Sequence, residues 1–162
     1  MSMRLHLGCG NNRLEGWLNA DLYRTSATDV TFDLMQPWPL DDDKISECYA
    51  SHVLEHLPDP IHFFKELWRV CQNNAQVILR LPYGASDAAF WDLTHLRPWF
   101  AENFAMLQPG YAQAIGNHQH DEYREFFGVI VTMRLNPKVA VNLRKWYFRR
   151  WIWPYVKHIW NA

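Results

Sequence analysis

Three stretches of this chain have residue types and spacing suited to chemistry. Gly8-Cys9-Gly10 follows a short apolar run at Leu5 and Leu7, and Asp21 comes 11 positions after Gly10 (21 − 10). Ser51-His52-Val53-Leu54-Glu55-His56 lies near the middle of the first hundred residues, and Asp92-Leu93-Thr94-His95 lies near their end. Glycines at the end of a strand permit a turn with positive φ and leave no Cβ in the way, so a ligand can approach the backbone closely. An acid at the end of the next strand can accept hydrogen bonds from both hydroxyls of a ribose. In an open α/β sheet ligands bind outside the carboxyl ends of the strands, so this first stretch reads as half of a nucleoside-binding site. An imidazole exchanges protons near neutral pH, which makes His95 the candidate general base and Asp92 the acid that orients it.

The elements that must position these groups follow in order. A second strand over 17–20 ends on Asp21 and Leu22. The gap between Gly10 and Asp21 is too short for a crossover helix, which takes about a dozen residues. The first crossover is therefore expected to shrink to a loop around Asn12 to Glu15. A third strand is expected over 29–34, stopped by Pro37-Trp38-Pro39, and a fourth over 47–50, leading into Ser51. Pro58-Asp59-Pro60 opens a helix with Asp59 as N-cap, and Ile61, Phe64, Leu67, Trp68 and Cys71 recur at helical spacing. A fifth strand over 76–81, a helix within 98–107 and closing strands over 111–115 and 125–135 complete the reading.

The segment Leu-His-Leu-Gly-Cys-Gly at 5–10 resembles the first motif of class I S-adenosylmethionine-dependent methyltransferases, and Asp21 matches the acid after the second strand. The likeness runs over roughly residues 3 to 135, with later segments in the family's order. It implies an α/β fold: a Rossmann-like, mostly parallel twisted sheet with an antiparallel edge strand. It implies S-adenosyl-L-methionine as cofactor. Gly8, Cys9 and Gly10 would cradle its methionine end, Asp21 its ribose, and Asp33 and Leu34 its adenine, while Ser51 and His52 would line the donor methyl and Leu22 would also belong to the cofactor-binding set. The activity implied is methyl transfer to an O or N nucleophile of a small-molecule or glycan-type acceptor. No Asn-Pro-Pro-Tyr tetrapeptide follows the fourth strand, which in this family speaks against transfer to base or glutamine nitrogens.

His52 to His56 also spells His-x-x-Glu-His, an inverted zinc-protease pattern. That pattern needs a continuous helix, whereas here the segment leaves a strand and meets Pro58 and Pro60. Some methyltransferases acting on catechol-like rings or RNA ends carry Glu-x-x-Glu-His at this point and bind a divalent metal. This chain departs from them with His52 in place of the first Glu. Glu55, His56 and His95 are competent ligands by type, but no spacing fixes where His95 lies, so the sequence assigns no metal.

Bulk properties bound the rest. At 162 residues, 49% hydrophobic and 20% charged, the chain is one domain's worth of globular protein. Three cysteines without a Cys-x-x-Cys pair, no leading signal-like segment and no long apolar run lead to the expectation of a cytoplasmic protein. The net charge of −1 hides an asymmetry: the seven basic and zero acidic residues after position 126 leave 9 basic against 17 acidic residues before it (16 − 7 = 9). We therefore divide the chain into a methyltransferase-like domain, 1–137, and a basic tail or helix, 138–162, that holds four of the nine tryptophans. Such a tail suits packing on the domain or a homodimer contact, peripheral contact with an anionic membrane, or single-stranded nucleic acid. A catalytically inactive cofactor-binding module and a nucleic-acid-binding protein are the alternatives to an enzyme.

Overall fold

The computed structural model describes residues 2–105 and 107. The strands are β1 (Met3–Leu7), β2 (Leu18–Asp21), β3 (Val30–Thr31), β4 (Ile45–Ser51) and β5 (Cys71–Arg80), with helices α1 (Pro60–Val70) and α2 (Ala101–Ala105). They form one sheet in the order β3-β2-β1-β4-β5, and every pair is parallel. This is a Rossmann-like α/β arrangement. The chain moves outward in one direction through β1, β2 and β3, then returns past β1 to lay down β4 and β5. The sheet therefore reverses its winding between β1 and β4, the place in an open α/β sheet where a ligand crevice forms beyond the carboxyl ends of the strands.

The expected elements recur with shifted ends. The third strand is only two residues long, and Asp33 and Leu34 fall in the turn beyond it. The fifth begins at Cys71 rather than Gln76, directly after α1. Its pairing jumps from Ile45↔Cys71 to Glu47↔Gln76, and Asn74, in the left-handed region at φ 65°, takes up the extra length. Asp59 caps α1 by accepting from the N–H groups of Ile61 and His62, with Pro60 at the first helical position. The buried face of α1 is Phe63, Phe64, Leu67 and Val70, while Trp68, expected on that face, stays exposed. That face packs with Leu5, Leu7, Ile45, Cys48 and Ala50 of the central strands and with Trp38. The expected antiparallel pair over 111–115 and 125–135, the boundary at 137/138 and the tail lie outside the described residues.

The missing first helix has a specific substitute. Asn19, wholly buried on β2, donates its amide to the carbonyls of Leu14 and Trp17 and to Asp29 Oδ2, at 3.1, 2.9 and 3.1 Å. Its Oδ1 accepts from Leu14 N–H at 2.9 Å and from His6 Nδ1 at 3.0 Å. Since Oδ1 can only accept, the ring nitrogen of His6 is the donor. Asp29 completes the brace: its Oδ2 accepts from Asn19 N–H and its Oδ1 from Arg13 Nη1. One side chain thus satisfies the irregular backbone that a helix would have satisfied itself.

Two outcomes test this brace. Asn19→Ala strands the Leu14 and Trp17 carbonyls and one side of Asp29, and is expected to cost about 3 kcal/mol in urea unfolding. The donors around Asp29, first the Asn19 N–H and then Arg13, hold its carboxyl down at about 2 against an ordinary 3.8. Its contribution to stability is complete above the ordinary value and drains away as the pH falls toward 2. In Asp29→Asn the fall of the unfolding midpoint between about pH 4 and pH 2 is therefore expected to be shallower than in the parent chain.

Candidate functional site

The crevice at the β1/β4 reversal is lined on one side by the turn after β1. Gly8 and Gly10 both have positive φ, 64° and 52°. They differ in surroundings. A Cβ on Gly8 would run into Val53 Cγ2, so the turn after β1 and the turn after β4 touch through the hydrogen of a glycine. A Cβ on Gly10 would meet no atom within 4 Å, so the backbone there borders open space. Such a turn is a candidate cradle for a ligand that approaches the main chain closely.

Asp21 stands at the end of β2 and ties the turn together. Its Oδ2 accepts from Gly10 N–H at 2.7 Å and its Oδ1 from Tyr23 N–H at 3.0 Å. A carboxylate oxygen has capacity for a second donor, so both oxygens can still accept from a ligand. Thr25 Oγ1 donates to the Gly10 carbonyl at 2.6 Å and pairs with Thr28, stitching the loop after β2 to the same turn. Sequence reasoning missed Thr25 and Thr28; an alternation of Thr, Ser and Asp in a loop carries no mark of its partner. Cys9 is buried, with Sγ 3.7 Å from Thr28 Oγ1 and 3.8 Å from the Gly10 carbonyl. Its side chain is turned into the protein, which leaves its main chain as the part that a ligand could meet. Leu22 is exposed beside Asp21.

Asp33 and Leu34 lie in the turn after β3. Asp33 Oδ1 accepts from Met35 N–H at 2.8 Å and shapes that turn, while Leu34 is half-buried against the core. Beyond them Trp38 N–H donates to Glu66, and Arg69 grips the carbonyls of Trp38 and Leu40 together with Glu66 and Asp42. This clamp fixes the loop onto α1. Glu66 is held below the usual carboxylate range, chiefly by its hydrogen bond from Arg69.

Across the crevice, Ser51 ends β4 and His52 follows in the left-handed region at φ 55°. His52 Nδ1 donates to Glu55 Oε1 at 3.0 Å. Leu54 to His56 form a single 3₁₀ turn, so the protease pattern has no helix to stand on. The loop after β5 folds back against this turn: Leu96 N–H donates to the Glu55 carbonyl at 2.9 Å. As a result the His56 and His95 rings meet edge to face, with centroids 4.8 Å apart. The sequence could not place these two histidines together, because a separation of 39 positions (95 − 56) carries no distance information.

Asp92 does not orient His95 by a hydrogen bond; its Oδ2 is 3.8 Å from His95 Nε2. Instead Asp92 Oδ1 accepts from the Thr94 hydroxyl at 2.7 Å, and that hydroxyl in turn accepts from His56 Nδ1 at 2.9 Å. The Thr94 hydroxyl, then its N–H, then the two histidines hold the Asp92 carboxyl below its usual range. His95 Nδ1 donates to the Ala89 carbonyl at 3.2 Å. Burial pushes the Cys71 thiol up to about 11 and Cys48 also upward, so both remain protonated core residues.

Residues 24–79 match the family model of the methyltransferase domain. That stretch runs from the loop after β2 into β5, and so contains Asp33, Leu34, Ser51, His52, Glu55 and His56. Among solved structures, a chain of the complex between the Haloferax volcanii Trm112 methyltransferase activator and a protein assigned as a methyltransferase is similar, at 13% identity and a TM-score of 0.48. The alignment covers 64% of this chain and 57% of that one, so the likeness spans a little over half the length of the solved protein. No curated protein sequence matches.

The two glycines should respond differently to substitution. Gly10→Ala carries only the left-handed backbone penalty and is expected to cost about 1 kcal/mol. Gly8→Ala adds the collision with Val53 and is expected to cost about 3 kcal/mol, measured for both variants by denaturant unfolding.

Proposed function

We propose that this chain is a compact class I S-adenosylmethionine-dependent methyltransferase, and that it transfers the methyl group to an oxygen or nitrogen nucleophile of a small-molecule or glycan-type acceptor. The observation that carries the reading is the pairing of the glycine cradle and Asp21 with Ser51 and His52 across one crevice at the sheet reversal. The open space over Gly10 and the unused capacity of both Asp21 oxygens fit a nucleoside cofactor.

When bound, S-adenosylmethionine supplies an electrophilic methyl carbon on a sulfonium sulfur. The part of the chain is alignment, because transfer needs the nucleophile held in line and close. The main chain at Gly8 to Gly10 seats the methionine end, Asp21 receives the ribose hydroxyls, and Leu22 and Leu34 offer apolar surface to the base, whose amino group Asp33 accepts. Ser51 and His52 line the methyl side. On the acceptor side His95, with Asp92 beside it, takes the proton from the nucleophile at Nε2, since its Nδ1 proton is committed to Ala89. Phe90, Trp91 and Leu93 are exposed next to these polar groups. Flat apolar faces beside hydrogen-bonding groups suit a hydroxyl-bearing ring. Three buried, unpaired thiols support a reducing compartment, and we assign the cytoplasm. Among the described residues no helix is long and apolar enough to cross a membrane.

Calorimetric titration with S-adenosylmethionine and S-adenosylhomocysteine tests the reading. Micromolar binding is expected, weakened at least about tenfold in Asp21→Ala while the variant remains folded by circular dichroism. Failure of both compounds to bind the folded parent chain would overturn it.

A further inference from the structure

Glu55, His56 and His95 each present one ligand atom, and the three atoms lie within 4.8 Å of one another. The surrounding hydrogen bonds fix which atoms these are. The Thr94 hydroxyl has one proton and gives it to Asp92, so toward His56 it can only accept, and His56 carries its proton on Nδ1. A carbonyl can only accept, so His95 also carries its proton on Nδ1. Both rings therefore hold an unshared pair at Nε2. Glu55 completes the set: its side chain is only 2% exposed, Oε1 is taken by His52, and Oε2 is buried without any hydrogen-bond partner. A buried carboxylate oxygen with nothing to accept from is costly and calls for a positive partner.

We propose that these three residues form a binding site for a first-row divalent cation, zinc foremost, through His56 Nε2, His95 Nε2 and Glu55 Oε2. Two imidazoles and one carboxylate suit zinc, cobalt, manganese or ferrous iron, whereas calcium and magnesium prefer oxygen alone. Three protein ligands leave a position open to water or an acceptor oxygen, as catalytic zinc sites do. The outer groups are those that metal-bound histidines use: a backbone carbonyl on one Nδ1 and a hydroxyl–carboxylate relay on the other. Asp92 Oδ2, 3.8 Å from His95 Nε2, adds negative charge near the set. Ligands on tetrahedral zinc stand about 3.4 Å apart, so closing on the ion takes about an ångström of side-chain movement.

The inference concerns the acceptor side of the crevice and stands independently of cofactor binding. If it holds, His95 is a ligand rather than the base. An acceptor hydroxyl entering the open position then loses its proton to solvent water because the cation lowers its pKa, and its oxygen is left poised to attack the methyl carbon. That favours acceptors with a hydroxyl.

The experiment uses tag-free protein stripped with chelator and titrated with cobalt(II), followed by visible absorption, then with zinc by calorimetry. The expected result is one ion per chain at micromolar affinity or tighter, d–d bands of a low-symmetry cobalt site, and no sulfur-to-cobalt charge-transfer band. Glu55→Gln, His56→Ala and His95→Ala should each weaken binding at least about tenfold, and Thr94→Ala about tenfold through its hold on His56. His62→Ala, on α1 and bonded to the Gln36 carbonyl, should leave it unchanged. Circular dichroism and S-adenosylhomocysteine titration of each variant separate loss of the site from loss of the fold. No binding of either ion by the folded parent chain, or binding that survives all three ligand substitutions, overturns the proposal. Ion binding without homocysteine-nucleoside binding would leave it standing and overturn the cofactor reading instead.

Discussion

Everything at the glycine-turn end of the sheet hangs on one buried amide. A parallel strand pair is ordinarily joined by a helix that satisfies its own backbone, and here the connection between β1 and β2 is too short to hold one. Its irregular main chain must find partners elsewhere, because an unpaired buried peptide group costs as much as a lost hydrogen bond. Asn19 supplies them, with all its donors and its acceptor oxygen used at once. Asp29 and Arg13 then lock the next loop to it. The glycine turn and Asp21 occupy the ends of the same two strands, so the position of the cradle follows from this brace.

A second constraint joins the two halves of the crevice. Gly8 lies against Val53, which puts the turn after β1 in contact with the turn after β4. The first turn carries the cradle and the second carries Ser51, His52 and Glu55. Any displacement of one is felt by the other through that contact, since packed interiors transmit small shifts rather than absorb them. The turn after β1 and the turn after β4 are therefore mechanically linked as well as adjacent. The clamp of Arg69 and Glu66 does similar work for the loop holding Asp33 and Leu34, anchoring it to α1 by charge-assisted bonds to carbonyls.

The turn after β4 and the loop after β5 are joined differently. Directed hydrogen bonds hold them: Leu96 to the Glu55 carbonyl, His95 to Ala89, His56 through Thr94 to Asp92. Such a network sets ring orientations and tautomers narrowly, which matters where a proton or an ion is to be held at one named nitrogen. In the same loop Phe90, Trp91, Leu93 and Leu96 remain exposed.

The local features were legible in the sequence because they depend on neighbours along the chain. The Leu-x-Leu-Gly-Cys-Gly turn, the shortened crossover read from the spacing of Gly10 and Asp21, and the Asp59 cap before Pro60 all follow from local backbone chemistry. So does the refusal of His52 to His56 to be a helix, since prolines follow at once. Strand ends were less legible: β5 starts early because Asn74 adopts a left-handed conformation that pairing with β4 imposes. Only the tertiary structure decided that Asn19 is the brace, that Cys9 points inward, that Asp92 serves His56 rather than His95, and that His56 and His95 meet. Each of these depends on residues brought together by strand order and loop return, and a linear chain carries no measure of distance between positions so far apart.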